Sequence, residues 1–147
     1  MSGGIVALFR YHLAVAQREV LRNAYFLVRV DDRTRIVRMW RTSEPFPNLQ
    51  AVRAGYEAVI EAFDRVGREG RCLLSDLRAG PARNDPDFEK IVTPMIPLLH
   101  MGFLRNAILV QLAVGALQIK RHAKTDGVER LITSSEEEAL RYLKEVL

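Results

Sequence analysis

The sequence is 147 residues long, 48% hydrophobic and 27% charged, the size and balance of one ordinary globular domain rather than a disordered or fibrous chain. Its formal net charge of +4 is compatible with an acidic partner without specifying one. The single cysteine, Cys72, excludes an internal disulfide framework and a Cys-rich zinc site and fits a reducing compartment; in its apolar run it reads as a small core residue.

The first element is a helix from Ile5 to Arg22, with Ile5, Leu8, Phe9, Leu13, Ala16 and Val20 at helical spacing. Packing on its own domain and packing on a second copy stay open, and with the latter a homodimer. The stretch is interrupted by Arg10, His12, Arg18 and Glu19, so neither a membrane span nor a signal peptide is expected, and the chain reads as cytoplasmic. Tyr25 to Asp31 and Ile36 to Arg41 are rich in β-branched and aromatic residues and are joined by a short polar turn, which predicts an antiparallel hairpin. Its arginines, Arg29, Arg33, Arg35, Arg38 and Arg41, read as a charged sheet edge that resists aggregation. A phosphate-binding stripe is the alternative, but a nucleic-acid platform needs interleaved aromatics, and only Trp40 and Tyr25 are at hand. Nucleic acid is therefore not the expected partner.

Pro45 and Pro47 end the hairpin, and Asn48 can cap a helix to about Val66 with Val52, Tyr56, Val59, Ile60 and Phe63 on one face, closed by Gly67 and Gly70. A central strand, Arg71 to Ser75, runs into Asp76 and a Gly80-Pro81 turn. Asp85-Pro86 then signals a helix start, because Asp accepts from free first-turn amides and Pro at the first position loses no bond. That helix carries Phe88, Ile91, Val92, Met95, Ile96 and Leu99, but Pro94 and Pro97 predict a kink or an early end before Gly102. His100 lies near its end, where the helix dipole is within reach.

Arg105 to Leu112 reads as a strand buried on both faces. A short helix from Val114 to about Lys124 gathers Lys120, Arg121, His122 and Lys124, either a solvated face or an anion-binding cluster of Lys120, Arg121 and Lys124. Glu129 to Thr133 is a last strand, and Ser135 with Glu138 forms a capping box for a closing helix with Ala139, Leu140, Leu143 and Leu147 on its core face. The order predicts an α/β fold: a mostly parallel β-sheet with an N-terminal antiparallel hairpin and helices on both faces, plus the N-terminal helix. Residues 1–24 form a helical extension and residues 25–147 the α/β domain.

No assembled catalytic site is visible, and an enzyme is not expected. Asp76 invites comparison with the phosphoacceptor of a receiver domain, but Asp31 and Asp32 lie in a hairpin turn instead of before a first helix. No Ser or Thr follows the strand ending at Leu112, and no Lys follows Thr133. Ser75 is not in a G-x-S-x-G elbow, and His12, His100 and His122 fall on different helices without a matched acid. Phosphate-loop, dinucleotide and metal-ligand spacings are absent, so neither a cofactor nor a metal is expected.

The hairpin, the D-L-R-x-x-P strand end at Asp76 to Pro81, the NDPDFE helix start and the run GFLRNAILVQLAVGALQIKR together resemble a STAS domain. This is the anti-sigma factor antagonist fold, and the closer similarity is to the bacterial branch grouped with SEC14-type domains. The resemblance spans about Tyr25 to Leu147. It implies a non-enzymatic interaction module whose partner, such as a regulatory kinase or anti-sigma-like factor, docks on Asp76, Arg78, Arg83, Asn84, Asp85 and Asp87. In the regulatory members a phosphorylatable Ser or Thr opens the helix after this loop. Here Asn84-Asp85-Pro86 occupies that place, so the hydroxyl is missing and a carboxylate stands at the cap. The SEC14 association implies an alternative, a small-molecule or lipid-binding domain.

Overall fold

The computed structural model describes residues 17–111 and 127–147. A six-stranded mixed sheet organises them, with spatial order identical to chain order: β1 (Gln17–Arg22), β2 (Phe26–Asp31), β3 (Ile36–Arg41), β4 (Cys72–Asp76), β5 (Asn106–Leu109) and β6 (Leu131–Thr133). β1 to β3 are antiparallel neighbours, and β3 to β6 run parallel. The α/β class, the hairpin and the parallel remainder are as the sequence predicts.

The β2–β3 hairpin closes because the Asp31 carboxylate accepts from the amides of Arg33 and Thr34 at 3.0 and 3.2 Å. Arg35 takes a left-handed φ of 61° and donates its own amide to the Asp31 carbonyl at 2.8 Å. Helix α1 (Leu49–Val66) is capped by the Asn48 side chain, which accepts from the Ala51 amide, and ends at Gly67 with φ 87°. The Asp85 carboxylate likewise caps α2 (Pro86–Val92). Pro94 and Pro97 break the chain beyond α2 into a 3-10 turn (Thr93–Met95) and α3 (Ile96–His100), the interruption expected where two backbone donors are missing. Helix α4 is Glu136–Lys144.

Alternation along the strands sorts the core into two layers. Phe26, Val28, Val30, Val37, Met39 and Leu73 meet Val59 and Phe63 of α1, with Leu99 and Phe103, on one face. Ile36, Cys72, Leu74, Ala107 and Leu109 meet Ala139 and Leu143 of α4 on the other. Cys72 is thus a core residue, and burial pushes its thiol pKa up.

Two expectations are corrected. Gln17 to Arg22 is not the end of a helix but strand β1, paired with β2; the rest of the expected helix lies outside the described residues. A strand here satisfies the free edge of β2, a non-local gain that outweighs helical propensity. A register shift between Glu19 and Leu21 brings both Val20 and Leu21 onto the core, so no two-residue alternation marks the strand. The capping box is also only half formed. Ser135 Oγ accepts from the Glu138 amide, but the Glu138 carboxylate accepts from Thr133 Oγ1 at 2.7 Å, and the Ser135 amide donates to that same hydroxyl.

Candidate functional site at the carboxyl edge of the parallel strands

Strands β3, β4 and β6 end on one edge, where open α/β sheets place their binding crevices. Asp76 closes β4 there, only 5% exposed. Its carboxylate accepts from Arg38 Nη2 of β3 at 2.9 Å, and from Arg78 Nε at 2.9 Å, Arg78 Nη2 at 2.7 Å and the Arg78 amide at 3.2 Å. Glu136, the first residue of α4, completes the cluster: its Oε1 accepts from Arg38 Nη2 at 2.5 Å and from Arg78 Nη2 at 3.2 Å. Among the described residues two cations and two anions balance, which is what a half-buried charge cluster requires. The Arg38 guanidinium also stacks on Trp40, 4.7 Å from the ring centroid.

Burial alone would raise the Asp76 pKa, but hydrogen bonds from Arg78 and Arg38 outweigh it and hold the carboxyl below its usual range. The bond from Arg38 does the same for Glu136. The shift keeps Asp76 ionised at neutral pH, its charge engaged by the guanidinium groups of Arg38 and Arg78.

The loop beyond Asp76 is tied to the fold at Leu77, Arg78 and Gly80, and its far end is bonded to the start of α2. The Leu77 amide donates to the Leu109 carbonyl at 2.9 Å, and the Gly80 amide to the Leu77 carbonyl at 3.2 Å. Gly80 rests on Arg41 so closely that a Cβ there would lie 2.5 Å from Arg41 Cγ. Arg41 itself is buried. Its Nη1 donates to the carbonyls of Thr42 at 2.8 Å and Tyr25 at 3.3 Å, and its guanidinium lies 4.2 Å from the Phe46 ring centroid. At the far end Arg83 Nε meets Asp85 Oδ1 at 2.5 Å while Asp85 Oδ2 accepts from the Phe88 amide at 3.3 Å, so one carboxylate caps α2 and holds Arg83. The bond from Arg83 lowers the Asp85 pKa.

Of the residues the sequence singles out, Asp76 and Arg78 thus come together in one cluster and Arg83 and Asp85 in a second, to which Asp87 adds its charge beside Arg83. Lys120, Arg121 and Lys124 lie outside the described residues, as do His12 and His122. His100 is buried, its Nδ1 2.8 Å from the Ile96 carbonyl.

Sequence reasoning does not assign Arg38, Arg41 and Glu136 to this edge. From sequence the hairpin arginines read as a sheet edge, yet β2 and β3 are interior strands, so Arg29, Arg38 and Arg41 guard no edge. They form no single stripe either: Arg29 and Arg38 are cross-strand partners on one face, where both lie over Trp40, while Arg41, three residues from Arg38, faces the other side of the sheet. Other arginines serve helix C-termini at the opposite edge. Arg71 donates to the carbonyls of Val66 and Gly67, Arg68 to those of Leu98 and Met101, and Arg105 to that of Tyr142. These guanidinium groups are therefore engaged in holding the fold, though their charge remains. Among the described residues no cluster of His, Cys, Asp and Glu is placed to hold a metal ion, and no helix is long and apolar enough to cross a membrane. Comparison with family models, with curated proteins and with solved structures finds no match.

Proposed function

We propose that this chain is a STAS-like interaction module that docks a protein partner on the loop from Leu77 to Asp87, without the phosphorylation switch of the regulatory members. The observation that carries the reading is the preformed loop, anchored by Arg78 on Asp76, by Gly80 on Arg41 and by Arg83 on Asp85. A loop held in one conformation loses little entropy on docking, and that favours recognition. Asp85 already caps α2 and binds Arg83, so its carboxylate is a fixed charge at the position where a switchable phosphate would stand.

The test is site-specific photo-crosslinking in the cells that make the protein. A photoreactive residue replaces Ala82 in the loop or, as a control, Glu57 on the exposed side of α1. The expected result is one discrete adduct from position 82 that is missing from position 57. Equal labelling from both positions, or none from position 82, overturns the reading. Phosphate-affinity electrophoresis of the same protein should show a single unshifted band; phosphate on any residue between Ser75 and Asp87 would contradict the missing switch.

A further inference from the structure

One carboxylate oxygen, Glu136 Oε1, is shared by two arginines of different origin: Arg38, fixed on β3, and Arg78, at the start of the loop. One nitrogen of Arg78, Nη2, in turn serves both Asp76 and Glu136. A displacement of the Arg78 guanidinium therefore disturbs both bonds together. Losing Arg78 leaves two carboxylates around Arg38 alone, a net negative charge beside the buried Asp76. Losing Glu136 leaves Arg38 and Arg78 sharing one carboxylate, a net positive charge. Each departure thus weakens the hold on the element that remains.

We propose that Glu136 joins the loop and the first turn of α4 into one cooperative unit, so that displacing either loosens the other. The far end of α4 is held away from the loop, by Arg105, which donates to the Tyr142 carbonyl and to Glu145. The helix start can therefore respond while the helix end stays seated. If the loop is the docking edge proposed above, which this extension assumes, the start of α4 is where docking is felt. The coupling itself needs no partner, and its test uses none.

Residue-resolved hydrogen exchange on the intact protein decides it. Glu136→Ala removes the shared carboxylate, and Gly80→Ala disturbs the loop from its far side by driving a Cβ onto Arg41. Glu137→Ala is the control, since Glu137 is on the same helical turn and pairs with Arg141, away from the loop. The informative amides are those of Arg78 and residue 80 in the loop and of Glu138 and Ala139 in the helix, all hydrogen-bonded. Each rate is compared with β4 amides of the same variant, so uniform destabilisation drops out. Glu136→Ala should accelerate the loop amides about ten-fold, the loss expected for one charge-assisted hydrogen bond. Gly80→Ala should accelerate the helix amides by a similar factor, because coupling is reciprocal. Glu137→Ala should leave the loop unchanged. If either of the first two variants loosens only its own element, or if the control loosens the loop as much as Glu136→Ala does, the two elements move independently and the proposal fails.

Discussion

Arg38 and Glu136 lie 98 positions apart in the sequence, yet Arg38 Nη2 donates to Glu136 Oε1 at 2.5 Å. The contact ties an interior strand to the first residue of the last helix, and Asp76 shares the same guanidinium nitrogen as a second counter-ion. That relationship sets the first expectations.

Asp76→Ala should cost about 2–4 kcal/mol in urea unfolding, because it strips a buried acceptor from two guanidinium groups at once. Arg78→Ala should cost less than half of that, since the Arg78 side chain is 39% exposed and Arg38 still faces the carboxylate. A double-mutant cycle of the two should show strong non-additivity.

Acid should weaken the fold through the same groups. Asp76 and Glu136 have folded pKa values below their unfolded ones, so over acidic pH the unfolded chain binds more protons than the folded one. Their contribution is whole above the unfolded carboxylate range near pH ~4 and falls away as pH drops through the folded values. Unfolding midpoints measured from neutral pH down into the acid range should fall less steeply in Asp76→Asn than in the unaltered protein.

Gly80→Ala should lower stability by about 1–3 kcal/mol, since the new methyl meets the stem of a buried arginine and the loop must lift. Gly70→Ala makes the useful contrast. There φ is 74° and a Cβ meets nothing within 4 Å, so only backbone strain of about 1 kcal/mol applies. Thermal melts of the pair should rank Gly80→Ala below Gly70→Ala.

Asp85→Ala should cost about 1 kcal/mol as a lost N-cap. Asp85→Ser keeps the cap and should recover most of that, while also installing the missing hydroxyl. A kinase able to modify the serine variant but not the original chain, read by intact mass, would show that the loop still presents a phosphorylation geometry.

What is legible in the sequence is local. The Asp31 turn, the Asn48 and Asp85 caps and the Pro94 and Pro97 breaks each depend on side chains acting within a few positions of themselves, and each stands where spacing puts it. β1 is not legible, because a register shift hides its alternation and its pairing partner is another strand. The loop residues Asp76, Arg78, Arg83 and Asp85 stand out in the sequence, but not as two separate ion pairs. Glu136 looks there like one of three acids at a helix start, and nothing local distinguishes it from Glu137; only the fold brings Arg38 to it.

The strand order has a consequence for how the chain is assembled. Because each strand among the described residues sits beside the one made before it, a growing chain can extend this sheet outward without waiting for a later one of these strands to insert. The carboxyl edge is the exception. Until Glu136 emerges, Arg38 and Arg78 have, among the described residues, only Asp76 between them, so a helix made after the sheet completes the charge balance of a strand made well before it.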